Sequence, residues 1–413
     1  MSKFQPPRGT HDLLADEQFR HSHIINTAKS LCANFGFSEV STPIFESTAV
    51  FSRTLGDDSD IVHKEMYTFE DRGGASLTLR PEGTAGVARA VVSEGLTRDI
   101  PLKFFYQGPM FRYERPQKGR QRQFHQLGVE LIGVSQPLAD IEVISLAHQF
   151  LNQLGLKELV KLEINTIGDE SSRQLFRERL VDFLIPLESQ LSEDSRRRLR
   201  ENPLRILDSK IESDQNLLKE APTLKECLSE ESIRIYETLC NGLTKLSIPF
   251  TESPRLVRGL DYYCHCVFEF TSDQLGAQNT VLAGGRYDRL IEMMGGPSLP
   301  GVGWASGIER LSLIAQTVPQ KTRPIFLCPL DEESESPALE LAHAIAQKLP
   351  VEMTYAGNLG KRMKKANKAQ ARAAIIIGSE ERKNQQVTLK DLDSGEQFSV
   401  SEKDLLDRLQ SLY

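Results

Sequence analysis

The sequence predicts an α+β protein: a sheet-rich segment interrupted by a helical insertion, followed by a compact C-terminal α/β domain. Three observations predict it. Phe104–Phe111 and Phe124–Ile132 read as two extended apolar arms on either side of a long charged loop, an antiparallel pair. From about 170 to about 248 the chain turns polar, charge-dense and helical in pattern. Beyond a proline-punctuated stretch, Thr317–Arg323, strand-like and helix-like segments alternate, and the all-apolar run Ala373–Ile377 reads as a strand buried on both faces.

In order along the chain, residues 11–36 carry apolar side chains at helical spacing, and Gly36 stands where that helix stops. Phe37–Phe45 reads as a strand with Pro43 at an edge or a bulge, because proline cannot donate to a ladder, and a subunit interface is one place for it. Residues 61–80 read as a hairpin turning at Asp71–Gly74, and Pro81 and Gly83 bend the chain into a helix, Ala85–Ser93. After the two arms come a helix at 138–153 and a strand at 160–166. Strands are expected again at Phe250–Val257, Tyr262–Phe270 and Thr280–Ala283. A helix Arg286–Met294, a glycine-rich turn and a helix Ser306–Gln316 then close a first domain, residues 1–320. The second, 324–413, opens with a strand Ile325–Leu330 and a helix Ser336–Lys348. It continues with a strand Val351–Thr354, a basic helix Leu359–Gln370 and a strand Ala373–Ile377, and ends with strands Val387–Asp391 and Phe398–Val400.

Composition excludes several classes. The chain has 413 residues, 39% hydrophobic and 26% charged, which is ordinary for a water-soluble globular protein of two or three domains. No apolar run approaches the ~20 residues of a membrane span, and the N-terminal MSKFQPPRGTHDLL has no signal-peptide core; a cytoplasmic protein is expected. The six cysteines form no CxxC pair, which points to reduced thiols. Cys264-His265-Cys266 on a strand would send its middle residue to the opposite face, so no structural metal is expected there. A net charge of −7 does not announce a nucleic-acid binder, but three basic patches stand out: the loop between the arms, Arg196–Arg200, and Lys361–Arg372.

Chemistry gathers in four places. The loop Glu114–Gln123 holds Arg115, Lys118, Arg120 and Arg122, with Arg112 just before it on the strand. Guanidinium forks suit phosphate oxygens, and Glu114 and Glu130 on the strands add acidic groups to the same surface. A substrate with both charges fits, and so does a solvated charged hairpin. Phe124 is placed either to stack on a base or to fill the core. In Arg80-Pro81-Glu82-Gly83-Thr84, Glu82 can bind an ammonium group or favour the start of a helix. In LVRGLDYY, Arg258 on a turn stands beside Tyr262 and Tyr263. The glycine pair AGGRYD and GVGWASGIERL lets backbone approach a ligand, with Arg310 in the helix that follows.

Together these segments resemble the histidyl-tRNA synthetase family, class II aminoacyl-tRNA synthetases, nearly end to end. GPMFRYERPQKGRQRQFHQLGVE and GVGWASGIERL resemble its second and third class motifs, and the Pro43 region the first. LVRGLDYY and AGGRYD resemble motifs peculiar to histidine-specific members, although Cys264-His265-Cys266 stands where such members usually carry small residues. The resemblance implies an antiparallel catalytic domain with a helical insertion and a C-terminal α/β anticodon-binding domain, assembled as a homodimer. It implies that Arg112 and Arg258 hold the α-phosphate of ATP as catalytic groups. Arg310 would hold the γ-phosphate, Arg120 the β/γ-phosphates, Glu114 the adenine amino group and Phe124 the adenine ring. Glu82, Thr84, Gln126, Glu130, Tyr262 and Tyr263 would line a histidine pocket.

The reaction implied has two steps: activation of L-histidine by ATP to histidyl-adenylate, with Mg²⁺ bridging the phosphates, then transfer to the 3′ end of tRNA(His). The alternatives are a non-catalytic regulatory subunit of histidine biosynthesis, expected to lack the C-terminal domain and one of Arg112, Arg258 or Arg310, and a class II synthetase for another amino acid, expected to lack LVRGLDYY.

Overall fold

The computed structural model describes residues 4–55, 61–209, 211–257, 262–276 and 279–413. The chain divides into two compact units, Met1–Val318 and Pro319–Tyr413. The first opens with helix α1 (Ala15–Asn34), strands β1 (Ser38–Glu39) and β2 (Phe45–Ser47), and helix α2 (Thr48–Leu55). Strands β3 (Tyr67–Glu70) and β4 (Ser76–Leu79) and helix α3 (Thr84–Ser93) lead to the two long arms, β5 (Leu102–Phe111) and β6 (Gln123–Ile132). Then come helix α4 (Leu138–Gln153), strand β7 (Lys161–Thr166) and the helices α5 (Glu170–Leu184), α6 (Glu193–Glu201), α7 (Glu212–Leu218) and α8 (Glu230–Lys245). Strands β8 (Thr251–Glu252), β9 (Cys264–Thr271) and β10 (Thr280–Tyr287), helix α9 (Leu290–Met293), strand β11 (Gly301–Gly307) and helix α10 (Ile308–Ile314) complete it.

Among the described residues eight of these strands form one sheet in the order β1-β5-β6-β11-β10-β9-β7-β8, and β2, β4 and β3 form a second, three-stranded one. The middle of the larger sheet is antiparallel throughout, and only its short outer strands β1 and β8 pair in parallel. Alternation along each strand gives the sheet two faces. Leu127, Val129 and Leu131 of β6 join α1, α4 and α8 in one apolar layer. Ile132 belongs to the other, with Tyr106, Tyr262, Tyr263 and Tyr287. Phe124, Gln126, Gly128 and Glu130 share that second face by the period of two, so a polar site can sit on a strand whose other side is core.

The structure redraws several sequence expectations. Gly301–Gly307, expected as a glycine-rich turn running into a helix at Ser306, is the strand β11 between β6 and β10. Glycine is a poor strand former, but side chains from neighbouring strands take the space its missing Cβ leaves. A Cβ on Gly301 would lie 2.2 Å from Tyr287 Cε2, and one on Gly303 would lie 2.0 Å from Glu130 Oε2. These glycines make room for protein side chains more than for a ligand. Arg286 lies within strand β10 and does not start a helix; it is buried and its Nε donates to Asp140 Oδ1 and Oδ2 at 3.2 and 3.1 Å, tying β10 to α4. The stretch Phe37–Phe45 breaks into β1 and β2 around Pro43, and β8 covers only two residues of Phe250–Val257. Strand β5 stops at Phe111, so Arg112 and Glu114 lie just past it, although Arg112 N–H still donates to Arg122 O at 2.9 Å. His265 has φ +47° where β9 slips register between the Gly285 and Arg286 pairs, so the alternation assumed for Cys264-His265-Cys266 is interrupted by a bulge.

The second unit contains β12 (Ile325–Pro329), α11 (Glu335–Ala346), β13 (Val351–Met353), α12 (Leu359–Lys368) and β14 (Ala373–Ile377). It ends with α13 (Ser379–Lys383), β15 (Gln386–Asp391), β16 (Gln397–Ser401) and α14 (Glu402–Gln410). Its sheet runs β13-β12-β14-β15-β16. Every residue of β14 is buried, as an all-apolar central strand requires. On α12 the lysines 361, 364, 365 and 368 are exposed, but Arg362 turns inward and donates to Thr354 O and Oγ1 at 3.1 and 2.8 Å. Arg372 pairs with Asp391 at 2.6 Å. In the first unit, Arg197 and Arg198 pair with Asp194, and Arg200 with Glu188, which makes that patch a compensated helix face. No helix among the described residues is long and apolar enough to cross a membrane.

Candidate active site

Two adjoining cavities open on the second face of the large sheet, and Arg112, Gln126, Ala283 and Ala305 line both. One, with about 630 Å³ of empty space, is walled by Glu82, Thr84, Glu130, Tyr262, Tyr263 and Tyr287. The other, about 720 Å³, is walled by Glu114, Arg120, Gln121, Phe124, Glu309 and Arg310. Every sequence-predicted site residue except Arg258 borders one of the two. Arg258 lies outside the described residues.

The first cavity is acidic and phenolic. Glu82 lies two residues before α3, and its two carboxylate oxygens accept from Thr84 N–H at 2.6 Å and Ala85 N–H at 2.8 Å at the helix start. The helix-start reading of Glu82 therefore holds, and the same side chain borders the cavity. Burial raises its pKa, opposed by those backbone N–H groups and by Arg112. Gln126 Oε1 accepts from Gly83 N–H at 3.1 Å, which fixes the bend against β6. Glu130 is more enclosed than Glu82. It is 1% exposed, its Oε2 accepts the Tyr287 hydroxyl at 2.5 Å, and its Oε1 has no hydrogen-bond partner among the described residues. Burial pushes its pKa up to about 8, against the pull of the Tyr287 and Thr84 side chains. A buried carboxylate with an unpaired oxygen is an acceptor waiting for an N–H or a cation.

The second cavity is cationic. Arg112 Nε donates to Pro81 O at 2.8 Å, and its guanidinium lies 5.5 Å from the centre of the Phe124 ring. Arg120 reaches Glu114 at 3.2 Å. Burial and the neighbouring Arg120 charge lower the pKa of Arg310. Two guanidinium groups held close enough to oppose each other favour a polyanion between them. Phe124 is half-buried and supplies a flat apolar wall beside these charges.

Sequence reasoning passed over Tyr287, Gln121, Thr280 and Glu309 as wall residues. Tyr287 was within reach: it sits in AGGRYD, a segment singled out for its glycines. The signal for Glu309 was its place beside Arg310, but its main partner is distant in sequence. Its oxygens accept from His125 N–H at 2.8 and 3.0 Å, and Oε1 lies 2.9 Å from His125 Nδ1.

Comparison with known proteins gives this geometry a lineage. A histidine–tRNA ligase of Rhodospirillum rubrum is 56% identical over 402 residues, 97% of each chain. One of Gluconobacter oxydans is 52% identical over 406 residues, 98% of each chain. The crystal structure of apo S. aureus histidyl-tRNA synthetase superposes with a TM-score of 0.82 at 34% identity, covering 98% of this chain and 99% of that one. An anticodon binding domain matches residues 324–412 and the histidyl-tRNA synthetase model matches residues 9–311, so the chain belongs to the histidyl-tRNA synthetase family.

Proposed function

We propose that the acidic cavity binds histidine, the cationic cavity binds ATP, and their shared wall brings the two reacting groups together. The enzyme class is that of the relatives: a histidine–tRNA ligase, an aminoacyl-tRNA synthetase. The observation that carries the division of labour is the adjacency of two cavities of opposite character with Arg112 in both walls. Full-length similarity to ligases favours this reading over a regulatory subunit.

In the first step a histidine carboxylate oxygen attacks the α-phosphorus, the bond from that phosphorus to the bridging oxygen breaks, and pyrophosphate leaves. Arg112 and Arg258 neutralise charge on the α-phosphate; Arg120 and Arg310 hold the outer phosphates; Phe124 and Glu114 take the adenine. No side-chain nucleophile is needed, because positioning and charge stabilisation lower the barrier. Glu82, Thr84, Gln126, Glu130, Tyr262 and Tyr263 hold histidine. A pocket that offers both an acceptor and hydroxyl donors rejects isosteres of imidazole lacking its N–H, because its buried groups would be left unpaired. Glu269, whose charge reaches Arg310 and whose carboxylate accepts from Thr280 on the cavity wall, is an oxygen donor of the kind magnesium takes and would hold an ATP-bound Mg²⁺. When bound, it offsets phosphate charge. In the second step a terminal ribose hydroxyl of tRNA(His) attacks the histidyl carbonyl and AMP leaves.

The second unit, with its exposed lysines on α12, is assigned to the anticodon arm. Ile44 and Phe45 near β2 and Phe69 on β3 are exposed apolar side chains, which supports a homodimer contact there. Free thiols at all six cysteines suit the cytoplasm. Pyrophosphate exchange with each of the twenty amino acids tests the central assignment: exchange with histidine alone is expected, and exchange with another amino acid at comparable kcat/KM would overturn it.

A further inference from the structure

We propose that His21, His125 and Glu309 form a binding site for a divalent transition-metal ion of the zinc or cobalt type. The site shares only Glu309 with the nucleotide cavity and does not depend on the reading of that cavity. One ligand atom from each of the three residues lies within 4.8 Å of the others. Tetrahedral coordination at bonds of about 2.1 Å needs ligand atoms roughly 3.4 Å apart, so small side-chain rotations close the set. Two imidazoles and a carboxylate match the donor preference of zinc and not that of magnesium or calcium, which take oxygen.

A second observation points to a ligand. His21 is 2% exposed, and its Nε2 is buried without a hydrogen-bond partner among the described residues. A buried ring nitrogen left unsatisfied is costly, and a metal ion would satisfy it. His125 is already oriented, since Nδ1 lies 2.9 Å from Glu309 Oε1 and the His21 and His125 rings meet edge-on at 5.6 Å. Solvent has access through a cavity lined by His21, Glu309, Glu17 and His11, with Arg20 and Lys118 as opposing cations. Glu17 lies one helical turn before His21 on α1, and His11 bonds to it at 3.0 Å. That cavity gives water a route to complete the coordination of the ion. The ion ties α1 to β6 and to the start of α10, three elements that carry one ligand each.

The competing account is a plain hydrogen-bonded His125–Glu309 pair against which His21 packs. Cobalt(II) titration of the chelator-treated full-length protein, followed by visible absorption, separates the two, with equilibrium dialysis against zinc for stoichiometry. One ion per chain and the intense d–d bands of a low-coordinate site are expected. His21→Phe and His21→Gln should weaken affinity on the order of 100-fold while leaving the metal-free circular dichroism unchanged. Absence of stoichiometric binding by the wild-type chain overturns the proposal without recourse to any variant. Equal binding by wild type and a folded His21 variant overturns it too, because the ion would then lie elsewhere.

Discussion

Replacing Glu130 by glutamine should stabilise the protein at alkaline pH and impair its use of histidine at the same time. The carboxyl is fully enclosed, and burial moves its pKa from an ordinary 4.5 to about 8. Because the folded-state value is the higher one, the folded protein keeps a proton that the unfolded chain has lost between pH 4.5 and pH 8. Stability therefore falls as pH rises through that window and is level above it. At about 1.4 kcal/mol per pH unit the whole window corresponds to at most about 5 kcal/mol. Glutamine removes this liability and can still accept the Tyr287 hydroxyl, so Glu130→Gln should be markedly more stable than wild type at pH 9 and nearly equal at pH 4.5. Histidine use should move the other way. A charge-assisted bond to a substrate N–H becomes a neutral one, a loss of about 1–2 kcal/mol, or roughly 5- to 30-fold in kcat/KM for histidine with little change for ATP. Urea melts at the two pH values, together with pyrophosphate exchange at varied histidine and ATP, measure both effects. A stability difference independent of pH would refute the electrostatic account, and equal loss on both substrates would refute the assignment of the pocket.

Arg258→Ala should slow adenylate formation by about 10²–10³-fold, as expected for removal of a charge-stabilising group, with histidine affinity changing less; activation within a few-fold of wild type would remove it from the mechanism. Gly303→Ala puts a methyl 2.0 Å from Glu130 Oε2 and 2.3 Å from Val129 O, so it should cost about 1–3 kcal/mol and raise the KM for histidine. An alanine variant with wild-type melting and kinetics would show that β11 has slack its packing does not suggest. A chain ending near Gln320 should still make histidyl-adenylate if it folds and dimerises, but charge tRNA poorly, and the affinity of the full chain for tRNA should fall steeply with salt; unimpaired tRNA charging by the short chain would refute the anticodon assignment.

The fold was most legible where one physical rule acted alone. The helix at 138–153 and the strand Ala373–Ile377 were read at their observed bounds, because one has unbroken helical periodicity and the other is apolar on both faces. The long arms were legible as an antiparallel pair for the same reason. Strand β11 was not, because its glycines argue locally for a turn. What makes it a strand is the presence of Tyr287 and Glu130 on adjacent strands, whose side chains need the room. A short sequence window contains no record of that need. Arg286 was misread for a similar reason: the partner that draws it inward, Asp140, is 146 residues away.

The site divides along the same line. Charge and motif point to Arg112, Arg120 and Arg310 because a cation's attraction for phosphate is a property of the residue itself. The condition of a carboxylate is a property of its surroundings. In the sequence, Glu82, Glu114 and Glu130 are three similar acids. In the fold, Glu82 caps a helix with both oxygens, Glu114 faces Arg120, and Glu130 is buried with one oxygen unpaired and a pKa pushed up to about 8. Their differences come from α3, from the loop after β5 and from Tyr287 on β10. Only Glu130 combines burial with an open acceptor, so it is the acid whose ionisation a bound substrate can change. That coupling gives a direct consequence: if the bound substrate requires the ionised carboxylate, binding below pH 8 must release a proton from Glu130, and the released proton should disappear in Glu130→Gln when binding is measured calorimetrically in buffers of different ionisation enthalpy.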